Sequence, residues 1–141
     1  MNGITTFTLK TIAIITMLID HVGAVLFPQY WILRAIGRMS YPIFAYTLVE
    51  GFFHTRDIKK YLTRLGIAAL FSEIPFDLAF FGRPIEWGHQ NVFFTLFFGV
   101  FLLYAVTNLQ TNYEKIFCVI VIFVTCVFLR TDYSSMGLLM I

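Results

Sequence analysis

Two ionisable residues, Asp20 and His21, interrupt an apolar stretch near the start of the chain. The stretch covers residues 10–28 and reads KTIAIITMLIDHVGAVLFP. Residues 11–27 would be about 25 Å long as a helix, close to the ~30 Å hydrocarbon core of a bilayer. A charge at the bilayer centre costs about 2.5–3.5 kcal/mol on insertion scales, so Asp20 should face protein or a water-filled cavity. We interpret the pair as functional; the alternative is a polar pair that only fixes helix packing.

A histidine with a carboxylate behind it can act as a general base near neutral pH, and it can equally act in a proton relay. Asp20 and His21 project about 100° apart on a helix, so they need not contact each other. Glu73, which lies in the middle of a later apolar stretch, is the first candidate to orient His21 from another helix. This arrangement alone does not choose between the two chemistries.

Two further pairs of charged residues have helical spacing. Arg34 and Arg38 are four residues apart, as are Glu73 and Asp77, so each pair shares one face of its helix. Ionised groups inside a membrane are tolerable when they pair, so we expect these arginines to balance the carboxylates, including Asp20. The alternative is that the charges only set helix register.

Two prolines fall inside predicted helices. Pro42 and Pro75 would each free a backbone carbonyl four residues back, on Arg38 and Phe71. Kinks beside Arg38 and Glu73 would open room for a ligand, although prolines in membrane helices often only bend them.

The composition indicates a polytopic membrane protein. Of 141 residues, 59% are hydrophobic and 13% are charged, too few charges for the surface of an ordinary soluble domain. We predict an all-α bundle, a single integral membrane domain over residues 1–141 that is incomplete at its C-terminus. The predicted spans are residues 11–27, 36–53, 62–81, 92–107 and 116–129, with a partial sixth helix after them.

The segment of residues 54–64, HTRDIKKYLTR, sets the orientation. It concentrates four cations against one acid, which places it in the cytoplasm by the positive-inside rule. The N-terminus is then also cytoplasmic, and the polar groups within the spans converge on the outer half of the membrane. These cations could bind phosphates or anionic headgroups, or could simply set topology. The three histidines fall at different levels and cannot form one metal site, and nothing in the sequence indicates nucleic-acid binding.

Several motifs in combination resemble the TraX family of integral membrane proteins, which is implicated in N-acetylation of pilin. They are LKTIAIITMLIDHVGAVLFP, LRAIGRMSYPIFAYTLVEGFFHTRDIKKYLTRL, SEIPFDLAF, QNVFFTL and DYSSMGLL, and together they cover nearly the whole chain. Members of the family are usually longer than this chain.

The resemblance implies a membrane-embedded acetyltransferase of the bacterial inner membrane. It would transfer acetyl from acetyl-CoA to an amine, such as the N-terminus of a pilin or another membrane-inserted peptide, or a sugar amine. The implied catalytic residues are His21 as base, Asp20 and Glu73 to orient it or handle protons, and Arg38 to stabilise the oxyanion. Implied substrate-binding residues are Arg34, Asp77 and Asn91. Implied contacts to the CoA phosphates are Arg56, Lys59, Lys60 and Arg64.

Two other functions are compatible with the same residues. A small proton-coupled transporter or channel subunit would use the buried Asp20, His21, Arg38 and Glu73 as a relay. A non-catalytic membrane assembly factor would need His21 for stability alone. The sequence does not identify the acceptor or the oligomeric state.

Overall fold

The computed structural model describes residues 5–141, apart from the side chains of residues 134 and 135. Within that part of the chain there are seven α-helices and no β-strand, which confirms the all-α prediction. The helices are α1 (Thr6–Val25), α2 (Trp31–Gly37), α3 (Ser40–His54), α4 (Ile58–Phe81), α5 (Val92–Asn108), α6 (Asn112–Phe128) and α7 (Ser134–Leu138). Residues 1–4, which the predicted topology places in the cytoplasm, lie outside the described residues.

The described residues form two compact units, one ending at Gly51 and the other beginning at Phe52. The first unit contains α1, α2 and most of α3, and the second contains the helices from α4 onward. The single integral membrane domain inferred from the sequence stays a prediction.

Helix α1 has the dimensions of a membrane span. Its N-cap is Thr5, whose hydroxyl accepts a hydrogen bond from the Thr8 amide. Its 20 residues rise about 30 Å, the thickness of a hydrocarbon core. Among the described residues, this is the one helix that is both long enough and apolar enough to cross a membrane, and α5 is a shorter apolar helix.

The other predicted spans coincide in position with α3, α4, α5 and α6. Three of these helices have 15, 17 and 17 residues, fewer than the roughly 20 residues of a typical span. Helix α4 has 24 residues, but charged residues at its start and along its length lower its hydropathy.

The predicted second span is interrupted. Helix α2 ends at Gly37 and α3 begins at Ser40, so Pro42 lies in the first turn of α3. The prediction that Pro42 kinks a helix and frees the Arg38 carbonyl is therefore wrong, since amides of a first turn have no partner within the helix to lose. Pro75 does lie inside α4, as predicted.

The second unit is built on antiparallel neighbours. Helix α4 ends at Gly82, whose φ of 66° is the left-handed conformation that glycine adopts without strain. Asn91 then caps α5, and a capping box between Thr111 and Glu114 starts α6. Helix α7 packs on α5 and α6, with buried Ile122, Cys126 and Leu138 forming a small core.

Candidate functional site

In the first unit, an arginine of α2 compensates the carboxylate inside α1. Arg34 Nε lies 3.5 Å from Asp20 Oδ1, and the two side chains are 38% and 16% exposed. The expectation that arginines balance the intramembrane carboxylates is met here for Arg34. Arg38 caps the end of α2, where it is exposed and its amide donates to the Arg34 carbonyl over 3.0 Å.

Two glycines allow α1 and α2 to pack closely around this ion pair. A β-carbon built at Gly37 would lie 2.1 Å from the Asp20 β-carbon and 2.5 Å from its α-carbon. One built at Gly23 would lie 2.6 Å from the Leu33 β-carbon. Any side chain at these positions would push the helices apart, so glycine is needed at both. Gly37 lies within the motif LRAIGRMSYPIF noted in the sequence, but the sequence did not reveal this reason for a glycine there.

His21 follows Asp20 on α1 and is half-buried. It belongs to the first unit, whereas Glu73 belongs to the second. The orientation of His21 by Glu73 therefore stays a prediction.

In the second unit, Glu73 of α4 binds the residue that starts α5. Glu73 Oε2 accepts a hydrogen bond from the Asn91 amide over 3.2 Å and a second, short one from Asn91 Nδ2. The same Nδ2 donates to the Ala69 carbonyl over 2.9 Å, and Asn91 Oδ1 caps α5 by accepting from the Phe93 amide. Two predicted site residues, Glu73 and Asn91, are thus in direct contact.

Asp77, one turn further along α4, holds the loop of residues 82–91. Its side chain is fully buried, and Oδ2 accepts from the Glu86 amide over 2.6 Å. Oδ1 has no hydrogen-bond partner among the described residues. Glu86, which sequence reasoning did not single out, also contacts Arg83 at 3.3 Å, and its spacing of three residues from Arg83 is the signal that could have found it.

The same loop pairs with the segment after α6. The Asp132 amide donates to the Gln90 carbonyl over 2.8 Å, and the Gln90 amide donates to the Arg130 carbonyl over 3.4 Å. The Thr95 hydroxyl donates to the Asp132 carbonyl. Arg130 and Tyr133 have φ angles of 48° and 60°, uncommon for residues other than glycine. The motifs SEIPFD, QNVFFTL and DYSS are therefore brought together at one end of the second unit.

The cations of residues 54–64 lie at the start of α4. Asp57 caps the helix by accepting from the Lys60 amide over 3.1 Å, and Lys60 Nζ lies 3.4 Å from Asp57 Oδ2. Asp57 thus occupies the helix N-terminus and partly neutralises Lys60. The other three predicted phosphate contacts are exposed, namely Arg56, Lys59 and Arg64. Among the side chains described, no group of three or more His, Cys, Asp and Glu residues is arranged to hold a metal ion.

Comparison with curated proteins finds two informative relatives. The probable fimbrial assembly protein FimC, serogroup H1, of Dichelobacter nodosus is 50% identical over 64 residues, covering 42% of this chain and 26% of that protein. An uncharacterized protein of Rickettsia prowazekii (strain Madrid E) is 30% identical over 105 residues, covering 74% of this chain and 39% of that protein. The chain thus matches well under half the length of either relative. No solved structure matches it.

The family described as TraX protein matches residues 6–141, which include the Asp20–Arg34 pair, the basic segment and the loop held by Glu73 and Asp77. This chain therefore belongs to the TraX family.

Proposed function

We propose that this protein is a membrane-embedded acetyltransferase that transfers acetyl from acetyl-CoA to an amine, with the N-terminus of a pilin or a similar membrane-inserted peptide as acceptor. Family membership supports a pilin-related role, and so does the relative named as a fimbrial assembly protein. The observation that carries the proposal is the Asp20–Arg34 ion pair beside His21 on a helix with the dimensions of a membrane span.

The pair matters because an ion pair on an apolar helix is costly to retain without a use. An aspartate in the hydrocarbon region is disfavoured by a few kcal/mol even when its position is optimised. Replacing such a pair by apolar residues is often neutral or stabilising. The presence of such a pair next to a histidine therefore favours a chemical role over a packing role.

The proposed reaction assigns one task to each residue. His21 takes a proton from the acceptor nitrogen as that nitrogen attacks the thioester carbonyl carbon of acetyl-CoA. The new C–N bond forms, the oxyanion develops under the positive charge of Arg38, and Arg34 remains held by Asp20. Collapse of the intermediate breaks the C–S bond, and the proton passes from His21 to the CoA thiolate. The products are the acetylated amine and free CoA.

The proposal includes a location for the acetyl donor. We propose five membrane spans in the bacterial inner membrane, with the N-terminus and the basic segment in the cytoplasm, where acetyl-CoA is made. The exposed cations of the segment would meet the CoA phosphates, and guanidinium groups such as those of Arg56 and Arg64 bind phosphate in bidentate fashion. The polar residues within the spans, which the predicted topology places in the outer half of the membrane, would contact the acceptor.

The test is transfer of radiolabelled acetyl from acetyl-CoA to the host membrane fraction by purified protein. Wild type is compared with His21→Ala and with His89→Ala, a histidine that is half-buried like His21 and serves as the matched control. Label on a peptide or glycan with wild type and His89→Ala but not with His21→Ala supports the proposal. The same comparison is run on a chain extended to the length of the relatives.

Two outcomes would count against the proposal. Absence of transfer by both the short and the extended chain, each shown to be folded, would overturn it. CoA-independent proton flux in reconstituted vesicles that is lost in Asp20→Asn would favour the transporter instead.

A further inference from the structure

A narrow apolar groove runs between α5 and α6 in the second unit. It has a volume of about 380 Å³ and is lined on the α5 side by Phe101, Ala105 and Leu109. On the α6 side its lining is Glu114, Phe117, Cys118, Val121 and Ile122. Glu114 is the sole charged residue in this lining, and it lies at one end of the groove.

The groove has a defined length along the helices. Leu109 is eight residues after Phe101, and Ile122 is eight residues after Glu114, a rise of about 12 Å along a helix. One leaflet contributes about half of a ~30 Å hydrocarbon core, or ~15 Å. The groove therefore has the length of a single leaflet, with its polar end at the turn between α5 and α6.

That polar end lies at the same end of the second unit as the basic segment. Helices α4 and α5 are antiparallel neighbours, as the contacts of Asn91 with Ala69 and of Gly66 with Phe97 require. The start of α4 and the end of α5 are therefore at one end of the unit. The concentration of cations at the start of α4 is typical of the headgroup level of a membrane.

Glu114, at one end of the groove, is followed on α6 by a residue of opposite charge, Lys115, which is not part of the lining. Glu114 Oε2 accepts from the Thr111 amide over 3.3 Å as part of the capping box, and no described residue donates to its other oxygen. Lys115 follows directly and forms no ion pair within the described residues. A headgroup with an ammonium and a phosphate complements both side chains.

We infer that the groove between α5 and α6 binds one acyl chain of an aminophospholipid of the phosphatidylethanolamine class, with its ammonium on Glu114 and its phosphate on Lys115. The inference rests on the membrane location in the proposed function and does not require acetyl transfer.

Native mass spectrometry of the full chain in detergent, with dioleoyl lipids of three headgroups added in turn, tests the inference. We expect one phosphatidylethanolamine to be retained about tenfold more strongly than phosphatidylglycerol, whose net negative charge meets Glu114. Phosphatidylcholine, which has no N–H to donate, should be retained about as weakly as phosphatidylglycerol.

Three variants separate the headgroup from the chain. Glu114→Gln keeps a side chain that can complete the capping box and should abolish the headgroup preference. Ala105→Phe fills the groove and should reduce retention of all three lipids at least fivefold. Val119→Phe, which introduces the same side chain at an exposed α6 position outside the groove, should change nothing.

Equal retention of the three lipids by wild type, or unchanged retention by Ala105→Phe, would overturn the inference. Retention is measured without acetyl-CoA, so lipid selectivity in a protein that transfers no acetyl group would support the lipid site while the enzymatic proposal failed. Acetyl transfer by a protein without lipid selectivity would support the enzymatic proposal and overturn the lipid site.

Discussion

Gly37 lies so close to Asp20 that a β-carbon at position 37 would be 2.1 Å from the aspartate β-carbon. The contact is between backbones, so rotation of a side chain cannot relieve it. The Arg34–Asp20 ion pair therefore lies where α1 and α2 approach each other closely.

Gly37→Ala is expected to separate these helices and to lower the free energy of unfolding by about 1–3 kcal/mol, the usual range for overpacking. Thermal unfolding in detergent, followed by circular dichroism, measures the change. Gly66→Ala is the matched control, because its β-carbon would make an ordinary 3.4 Å contact with Phe97 and alanine favours helix. Equal midpoints for the two variants would contradict the close packing.

A double-mutant cycle on Asp20 and Arg34 should report a coupling free energy above about 1 kcal/mol. Solvated ion pairs contribute about 0–1 kcal/mol, whereas breaking a pair in a low-dielectric site costs about 3–5 kcal/mol. We expect Asp20→Asn alone to be destabilising and Arg34→Gln to restore part of the loss. Unfolding of the two single variants and the double variant gives the coupling, and a value near zero would indicate that the pair is solvated.

Asp77→Ala should destabilise the second unit by about 1–3 kcal/mol, because the Glu86 amide would lose its acceptor. Asp77→Asn keeps an acceptor oxygen and should cost less. Hydrogen exchange of the loop of residues 82–91 would show the difference directly. Arg83→Ala, which removes an exposed ion pair with Glu86, is the control and should change stability by no more than about 1 kcal/mol. Unaltered exchange in Asp77→Ala would contradict the role assigned to the carboxylate.

Lys59→Ala and Arg64→Ala should each weaken CoA binding by about 2–5-fold, as expected for loss of one solvated charge contact. Isothermal titration at two salt concentrations measures the Kd, and the variants should show less salt dependence than wild type. Arg83→Ala removes a cation from the opposite end of α4 and should leave the Kd unchanged. Equal effects of all three substitutions would argue against a phosphate site at the start of α4.

The helices could be predicted from hydropathy because each apolar run is bounded by residues that start or end helices. Residues 92–107 were predicted as a helix, and α5 covers that range because Asn91 caps it. The break at Arg38 and Met39 was missed, since hydropathy averaged over a long window does not register a two-residue interruption of a helix. The sequence predicted that an arginine pairs with Asp20. That this arginine is Arg34 depends on the close approach of α2 to α1 at Gly37.

For Glu73, Asp77 and Asn91, the sequence predicted only that polar residues converge at a similar depth in the membrane. The two carboxylates accept hydrogen bonds from the backbone amides of Glu86 and Asn91, and no sequence pattern specifies from which amide a carboxylate accepts. Glu86 was missed for the same reason, because its backbone amide, rather than its side chain, donates the hydrogen bond to Asp77.

The two glycine contacts also determine in which register α2 can lie on α1. Sliding α2 by one turn would bring Leu33 to the place of Gly37, and its side chain would not fit against the Asp20 backbone. The close contacts therefore favour the observed alignment, which fixes the position of the Arg34 guanidinium relative to the aspartate. A substrate arriving at this unit would find the charge already in place and would not have to spend binding energy on arranging it.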